Sequence, residues 1–482
     1  MLICNARLWP ARALLATAAA LADLPLTDVR LTGGRIAECA PRLRPTHGET
    51  EIDAGGGTLI PGLHDHHVHL RALAAARVSV AAGPPWIRTA ADLIARLRAA
   101  DAQLPPGAWL RAVGYHESVA GPLDRQVLDL LIPDRPVRVQ ERTGALWIVN
   151  SSAVARLGLD GCRLSGVERD EADRPTGRLW RMDRWLADRV PATTGDLPAV
   201  SSRAATLGIT GFTDATPGAT PGDLASLAEA GMVQRLHCMA PSGTEPPPGP
   251  ITLGPVKILL DDVTLPPLDR LADRIRAAHA ARRPAAVHCV TRVQVILTMA
   301  ALDVAGRLPG DRVEHGAVIP AESLAGLRGL TVVTQPHFVA ERGDQYARDV
   351  PPDDLPDLWR LRTLIDAGVS VAGGSDAPFG TEDVWAAMRA AVRRPPLFRP
   401  EEAVSPARAL SLFLGEPTRP DRQRLVAPGQ PADVVLLRAD PREALDSLAS
   451  DLVAATFVEG EVSYARGRET GSRSGGSSTA TK

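Results

Sequence analysis

Near residue 65 the chain reads Asp65-His66-His67-Val68-His69. Side chains alternate along an extended strand, so Asp65, His67 and His69 share one face while His64 and His66 point the other way. Two imidazoles one residue apart on a face are close enough to grip one divalent cation. His64 and His66 are expected to pack behind the strand. A second signal is a lysine. Of 54 lysines and arginines only Lys257 and the terminal Lys482 are lysines. Arginine replaces lysine easily on a surface, but not where a deprotonatable amine is needed. A neutral amine can react with carbon dioxide to give a carbamate, an anion with two oxygens that can bridge two cations. The other reading of Lys257 is an ion pair with Asp261 or Asp262. His288 and His315 each end a short apolar run. Asp376 follows Gly373-Gly374-Ser375 and precedes Ala377-Pro378. A carboxylate there can hold a cation, take a proton from water and return it to a departing group; a cap on the following turn is the alternative.

These residues need elements to bring them together. Eight β-rich runs alternate with helical stretches rich in Ala, Leu and Arg. They are TLIPGLHDHHVHL from Thr58, GITGFTDAT from Gly208, VQRLHCMAP from Val233, PVKILLDD from Pro255, AAVHCV from Ala285, RVEHG from Arg312, TVVTQPHF from Thr331 and VSVAGGSDAP from Val369. Such alternation predicts an α/β chain with a parallel sheet, and eight units predict a (β/α)8 TIM barrel over 58–85 and 201–417. In such barrels the C-terminal ends of the strands carry the active site. The interval 71–207 is too long for one crossover helix. With its strand-like RAVGYHES, PVRVQER and ALWIVNSS, residues 86–200 read as a domain inserted after strand one. Residues 1–57 and 418–466 are both β-rich and predict one small β-sandwich built from the two termini. The tail, 467–482, is Ser-, Gly- and Thr-rich and reads as disordered. The apolar run Ala11–Ala22 resembles a signal-peptide core; strand-like LICNARLW before it and β-rich sequence after it favour a surface helix or loop.

Composition narrows the classes. The 482 residues carry a formal net charge of −2 with no basic or acidic block, which argues against nucleic acid and anionic membrane as partners. No run reaches the ~18 apolar residues of a membrane span. The five cysteines are odd in number, widely spaced and without a CxxC pair, which fits a reducing cytoplasm rather than a disulfide framework.

The ordered set of HxH, Lys, His, His and Asp resembles the amidohydrolase superfamily, and PGLHDHHVHL resembles its PGxxDxHxH signature. RPV…WIVNSSAV, RPTGRL, GITGFTDA, VKILLDD, RVEH, TQPHF, GGSDAPFG and PGQPADVVLL…VAATFVEGE resemble its YtcJ-like branch, amidohydrolase family 3. The resemblance runs to about residue 466. It implies a TIM barrel, a β-sandwich from both termini and an insert roofing the site. It also implies that His67, His69 and Asp376 bind one metal and His288 and His315 another, bridged by Lys257 when N6-carboxylated. Zinc leads for imidazole and carboxylate ligands, with Fe, Mn and Ni open; the ligand set leaves one ion or two open. The expected activity is metal-dependent hydrolysis of a C–N bond in a small-molecule amide, an N-acyl or N-formyl amine by resemblance, with Asp376, His315 and Lys257 as catalytic groups. Cyclic-amide hydrolysis and ring deamination use the same ligands. A non-catalytic scaffold would have lost ligands, and all six are present. The chain departs from the family at Ala145, where a His is frequent, and at Val290-Thr291-Arg292, where Ile-Gly-Asp is frequent. Substrate-lining candidates are His116, Trp147, Arg178, Arg292, His337 and Phe379; Arg292 reads equally as a surface ion pair. A homodimer is compatible with the fold class, though no sequence feature shows it.

Overall fold

A computed structural model describes residues 1–10 and 23–467. The apolar run at 11–22 and the tail beyond 467 lie outside them. Among the described residues no helix is long and apolar enough to cross a membrane. The described residues divide between two compact units, one within 1–67, 201–375 and 383–482, the other within 68–200 and 376–382.

The first unit contains two sheets with parallel pairing. One runs Val256–Ile258, Ala285–Cys289, Arg312–His315, Thr331–Thr334, Ser370–Gly373, parallel throughout. The other runs Ile251–Leu253, Arg235–Cys238, Ile209–Asp214, Leu63–Val68. Each of the eight β-rich runs therefore contains a strand of an α/β unit. Alternation along the strands sorts the faces. Val287, Val313 and Val332 enter one apolar cluster with Leu271, Ile275, Val295 and Leu302 of the helices Leu268–Ala280 and Arg292–Ala305. Ala286, His288, Arg312 and Glu314 fall on the opposite face. The opening run is not one strand, as the sequence suggested. Thr58–Pro61 belongs to another sheet, and Leu63–Val68 starts after Gly62. Gly62 donates its N–H to Asp433 and Leu63 donates to Gly208, so the chain changes partners there. A Cβ on Gly62 would lie 2.2 Å from the Thr210 side chain, which is why glycine occupies the switch. The strand Ile251–Leu253, unforeseen in the sequence, pairs with Arg235–Cys238 and is cut from Val256–Ile258 by Gly254-Pro255.

Strands from both chain ends form one mixed eight-stranded sheet. Its order is Glu461–Ala465, Val453–Val458, Val434–Leu437, Thr58–Pro61, Leu2–Leu8, Leu26–Thr32, Arg35–Ala40, with Glu51–Asp53 on Leu2–Leu8. Val434–Leu437 pairs antiparallel with Thr58–Pro61 and so joins the two ends of the sequence.

His237 of the first unit gives acid sensitivity a local cause. Its Nδ1 lies 2.9 Å from Thr252 Oγ1. Burial, followed by Arg312 and Arg283, pushes its pKa down to about 3. Below pH 6.5 the unfolded chain protonates this histidine and the folded chain does not, so stability falls as pH drops, by about 1.4 kcal/mol per pH unit from this group. Urea unfolding of His237→Gln should therefore show roughly 2 kcal/mol less loss between pH 6.5 and 5 than the parent. Equal losses in the two proteins would refute this.

The second unit has a mixed six-stranded sheet, Val167–Arg169, Pro175–Trp180, Leu146–Val149, Val137–Glu141, Leu110–Tyr115, Val80–Ala81. The helix Ala90–Gln103 begins at Thr89, whose side chain accepts from the Asp92 N–H, and buries Leu93 and Leu97. One apolar cluster gathers Ala112, Val139, Leu146 and Ile148, another Trp147, Val149 and Leu179.

Candidate metal centre

In the first unit four of the six expected ligands come together from separate strands. His67, one residue before the end of its strand, is fully buried, and its Nε2 is 3.5 Å from Lys257 Nζ. The rings of His67 and His315 lie 4.7 Å apart between centroids, and those of His315 and His288 4.6 Å apart. The other two ligands come together in the second unit, where His69 Nε2 is 3.2 Å from Asp376 Oδ1. Phe379 packs edge-on against the His69 ring at 5.3 Å, and the His69 N–H donates to Ala377 O. One residue, Val68, separates His67 from His69, and Asp376 follows Ser375 directly.

Two of these residues depart from ordinary backbone. His315 has φ of 69° and Asp376 φ of 52°, both in the left-handed region that non-glycine residues rarely enter. Such a conformation costs about 1–3 kcal/mol and persists only where the surroundings impose it. At Asp376 the preceding residues supply that constraint. The Ser375 N–H donates to Asp65 Oδ1 at 2.9 Å, and the buried His337 lies with Nε2 3.0 Å from Ser375 O. Gly374 packs against His67 so closely that a Cβ would sit 2.8 Å from the His67 backbone nitrogen.

The imidazoles are oriented by acceptors absent from the sequence-based set. His67 Nδ1 donates to Glu314, and His315 Nδ1 lies 2.9 Å from Gln335 Oε1. A carboxylate or amide oxygen accepts, so each Nδ1 is placed as a donor, the arrangement in which Nε2 is the nitrogen that ligates a metal. Glu314 is ion-paired with Arg312, and both are buried. The available signal was a pair of charges, Arg312 and Glu314, inside a strand otherwise made of Val and His. Asp65 was placed on the His67 face; its double role, accepting from both the His67 and the Ser375 N–H, was not foreseen. His64 and His66 are buried with rings 4.6 Å apart, and burial holds both far below the usual imidazole range, hence neutral.

The substrate-lining candidates separate. His337 and Phe379 touch Ser375 and His69. The other four are engaged elsewhere within their own units. His116 caps a short helix through the Ser118 N–H. Trp147 donates to Asp183 at 2.8 Å with the guanidinium groups of Arg111 and Arg138 over its ring. Arg178 pairs with Glu168 and donates to Leu123 O. Arg292 binds Asp354 and Asp357 at 2.7 and 2.8 Å.

Comparison with known proteins gives the family. Residues 50–464 match the profile of the amidohydrolase family. The N-substituted formamide deformylase of Arthrobacter pascens is 25% identical over 525 aligned positions, covering 91% of this chain and 95% of that protein. YtcJ of Bacillus subtilis is 23% identical over 88% of this chain and 92% of its own. The crystal structure of a metal-dependent hydrolase from Pyrococcus horikoshii superimposes with a TM-score of 0.69 at 15% identity, covering 92% of this chain and 98% of that one, and so shares its fold. The chain belongs to the amidohydrolase family and is a hydrolase that acts on carbon–nitrogen bonds.

Proposed function

We propose that this enzyme cleaves the C–N bond of an N-acyl amine, N-formyl amines foremost, at a divalent metal held by His67, His69, Lys257, His288, His315 and Asp376. The observation that carries the reading is the convergence of His67, Lys257, His288 and His315 from four strands, two of the imidazoles with Nδ1 already engaged. Imidazole and carboxylate donors suit Zn²⁺. A bound ion of this kind polarises a carbonyl and brings the pKa of water to about 7. Lys257 takes part as its carbamate, which turns a cation among imidazoles into an anion with two oxygens. Asp376 accepts the proton of the attacking water and delivers it to the departing nitrogen. His337 and Asp65 hold the peptide that precedes Asp376, and so the height of its carboxylate. The two parallel sheets are read as arcs of one (β/α)8 barrel, interrupted at Gly254-Pro255 and meeting where Gly374 packs on His67; the terminal sheet is read as the composite β-sandwich. The preference for formamides rests on likeness to the deformylase over nearly the whole chain.

The test is a panel of N-formyl and N-acyl amines assayed with apoprotein and with protein loaded with Zn²⁺, Mn²⁺ or Fe²⁺. Metal-dependent release of amine from a formamide is the expected result. Metal-loaded protein that turns over no amide would overturn the substrate reading. Protein that binds none of the three ions would overturn the site itself.

A further inference from the structure

We propose that Glu314, with its charge balanced by Arg312, is a positioning residue that locks His67 in the orientation and tautomer needed to bind metal. The inference rests on the metal site proposed above.

Arg312 and Glu314 lie on the strand Arg312–His315, two residues apart and so on one face, while Val313 between them enters the apolar cluster on the other. Arg312 is 1% exposed and Glu314 0%. A buried ion pair is a poor stabilising device, because desolvation offsets most of the attraction and apolar residues of like size serve as well or better. Its presence here is explained by what each oxygen of Glu314 does. Oε1 faces Arg312 Nε, and Oε2 accepts from His67 Nδ1. Held against Arg312 by one oxygen, Glu314 presents the other to His67 Nδ1, which places that nitrogen as the donor. The lone pair is thereby placed on Nε2, the nitrogen that faces Lys257. The main chain of the same residue is fixed independently, by the His67 N–H donating to Asp65 Oδ1 at 3.1 Å. Ring and backbone are therefore held by two carboxylates, one from the neighbouring turn of sequence and one from a strand 247 residues away.

A purely structural Arg–Glu pair and a positioning pair differ in what they do to metal affinity. The measurement is the Zn²⁺ dissociation constant, by competition with a chromophoric chelator, for the parent, Glu314→Leu and the double variant Arg312→Met, Glu314→Leu, each with its metal-free thermal midpoint. Loss of such a partner weakens metal binding by about 10–100-fold. Glu314→Leu, which has no acceptor for His67 Nδ1, should show that weakening together with a lower midpoint, since Arg312 is left uncompensated. The double variant should recover the midpoint and keep the weakened affinity. A double variant that is stable and binds Zn²⁺ like the parent would overturn the proposal. A second readout needs neither variant nor metal. Long-range ¹H–¹⁵N correlation on histidine-labelled parent protein should report His67 protonated on Nδ1; protonation on Nε2 would overturn the proposal. If the parent binds no divalent ion, the metal reading fails, and the tautomer still decides the role of Glu314.

Discussion

Asp376→Asn is expected to lower kcat by about 10²–10⁴-fold, the usual contribution of a positioned proton-transfer group. Asparagine keeps the size of aspartate and an oxygen to face His69, now at 3.2 Å from the carboxylate. What it lacks is a site that can gain and then give up a proton. The backbone supports a clean comparison. The left-handed conformation at 376 is one that asparagine tolerates as well as aspartate does, so the substitution adds no strain. The Asp65 and His337 contacts are made to Ser375 rather than to residue 376, so they survive the change. The loss should therefore appear in kcat, with the thermal midpoint close to that of the parent. Metal content measured alongside separates two roles. Lost turnover with retained metal identifies the proton carrier; lost turnover with lost metal identifies a ligand alone. A variant with parental kcat would remove Asp376 from the chemistry.

Much of the site was legible because its strongest signals are local. The HxH pair follows from alternation along a strand, and Lys257 stands out because arginine fills nearly every other basic position. The eight strands were visible as β-rich runs between helical ones. What escaped were interactions fixed by register across strands. Glu314 meets His67 only because the sheet brings residue 314 beside a residue 247 positions earlier. The one-dimensional pattern shows two charges inside a short strand, Arg312 and Glu314, but not which residue the carboxylate meets. Gln335 is the same case, silent in sequence yet the acceptor for His315. The opposite error has the same origin. Trp147, Arg178 and His116 look like binding groups when their partners are unknown, and Asp183, Glu168 and the Ser118 N–H are the partners. Gly62 shows a third limit. Thr58 to His69 is a continuous β-forming run, and only the hydrogen bonds to Asp433 and Gly208 reveal that it serves two sheets.

Lys257 offers the sharpest separation of charge from chemistry, because its two substitutions fail for different reasons. Lys257→Arg keeps a long cation but cannot form a carbamate. If the amine worked as a cation, that variant would retain activity. If it works as a carbamate, Arg places a permanent positive charge beside His67 Nε2, now 3.5 Å from Nζ, and both metal affinity and turnover collapse. Lys257→Ala removes the charge and leaves space instead. Its turnover should fall by about three orders of magnitude, equivalent to roughly 4 kcal/mol of lost electrostatic stabilisation. Added formate or acetate should restore part of it, since a small carboxylate can place two oxygens where the carbamate had them. The same carboxylates should do nothing for Lys257→Arg, where the side chain fills the space. Growth or exchange in ¹³C-bicarbonate gives a direct check, with one labelled carbamate carbon expected in the parent and none in either variant. Full activity of Lys257→Arg, or a parent protein that takes up no label while remaining active with bound metal, would rule the carbamate out and leave this lysine as a proton donor or a structural cation.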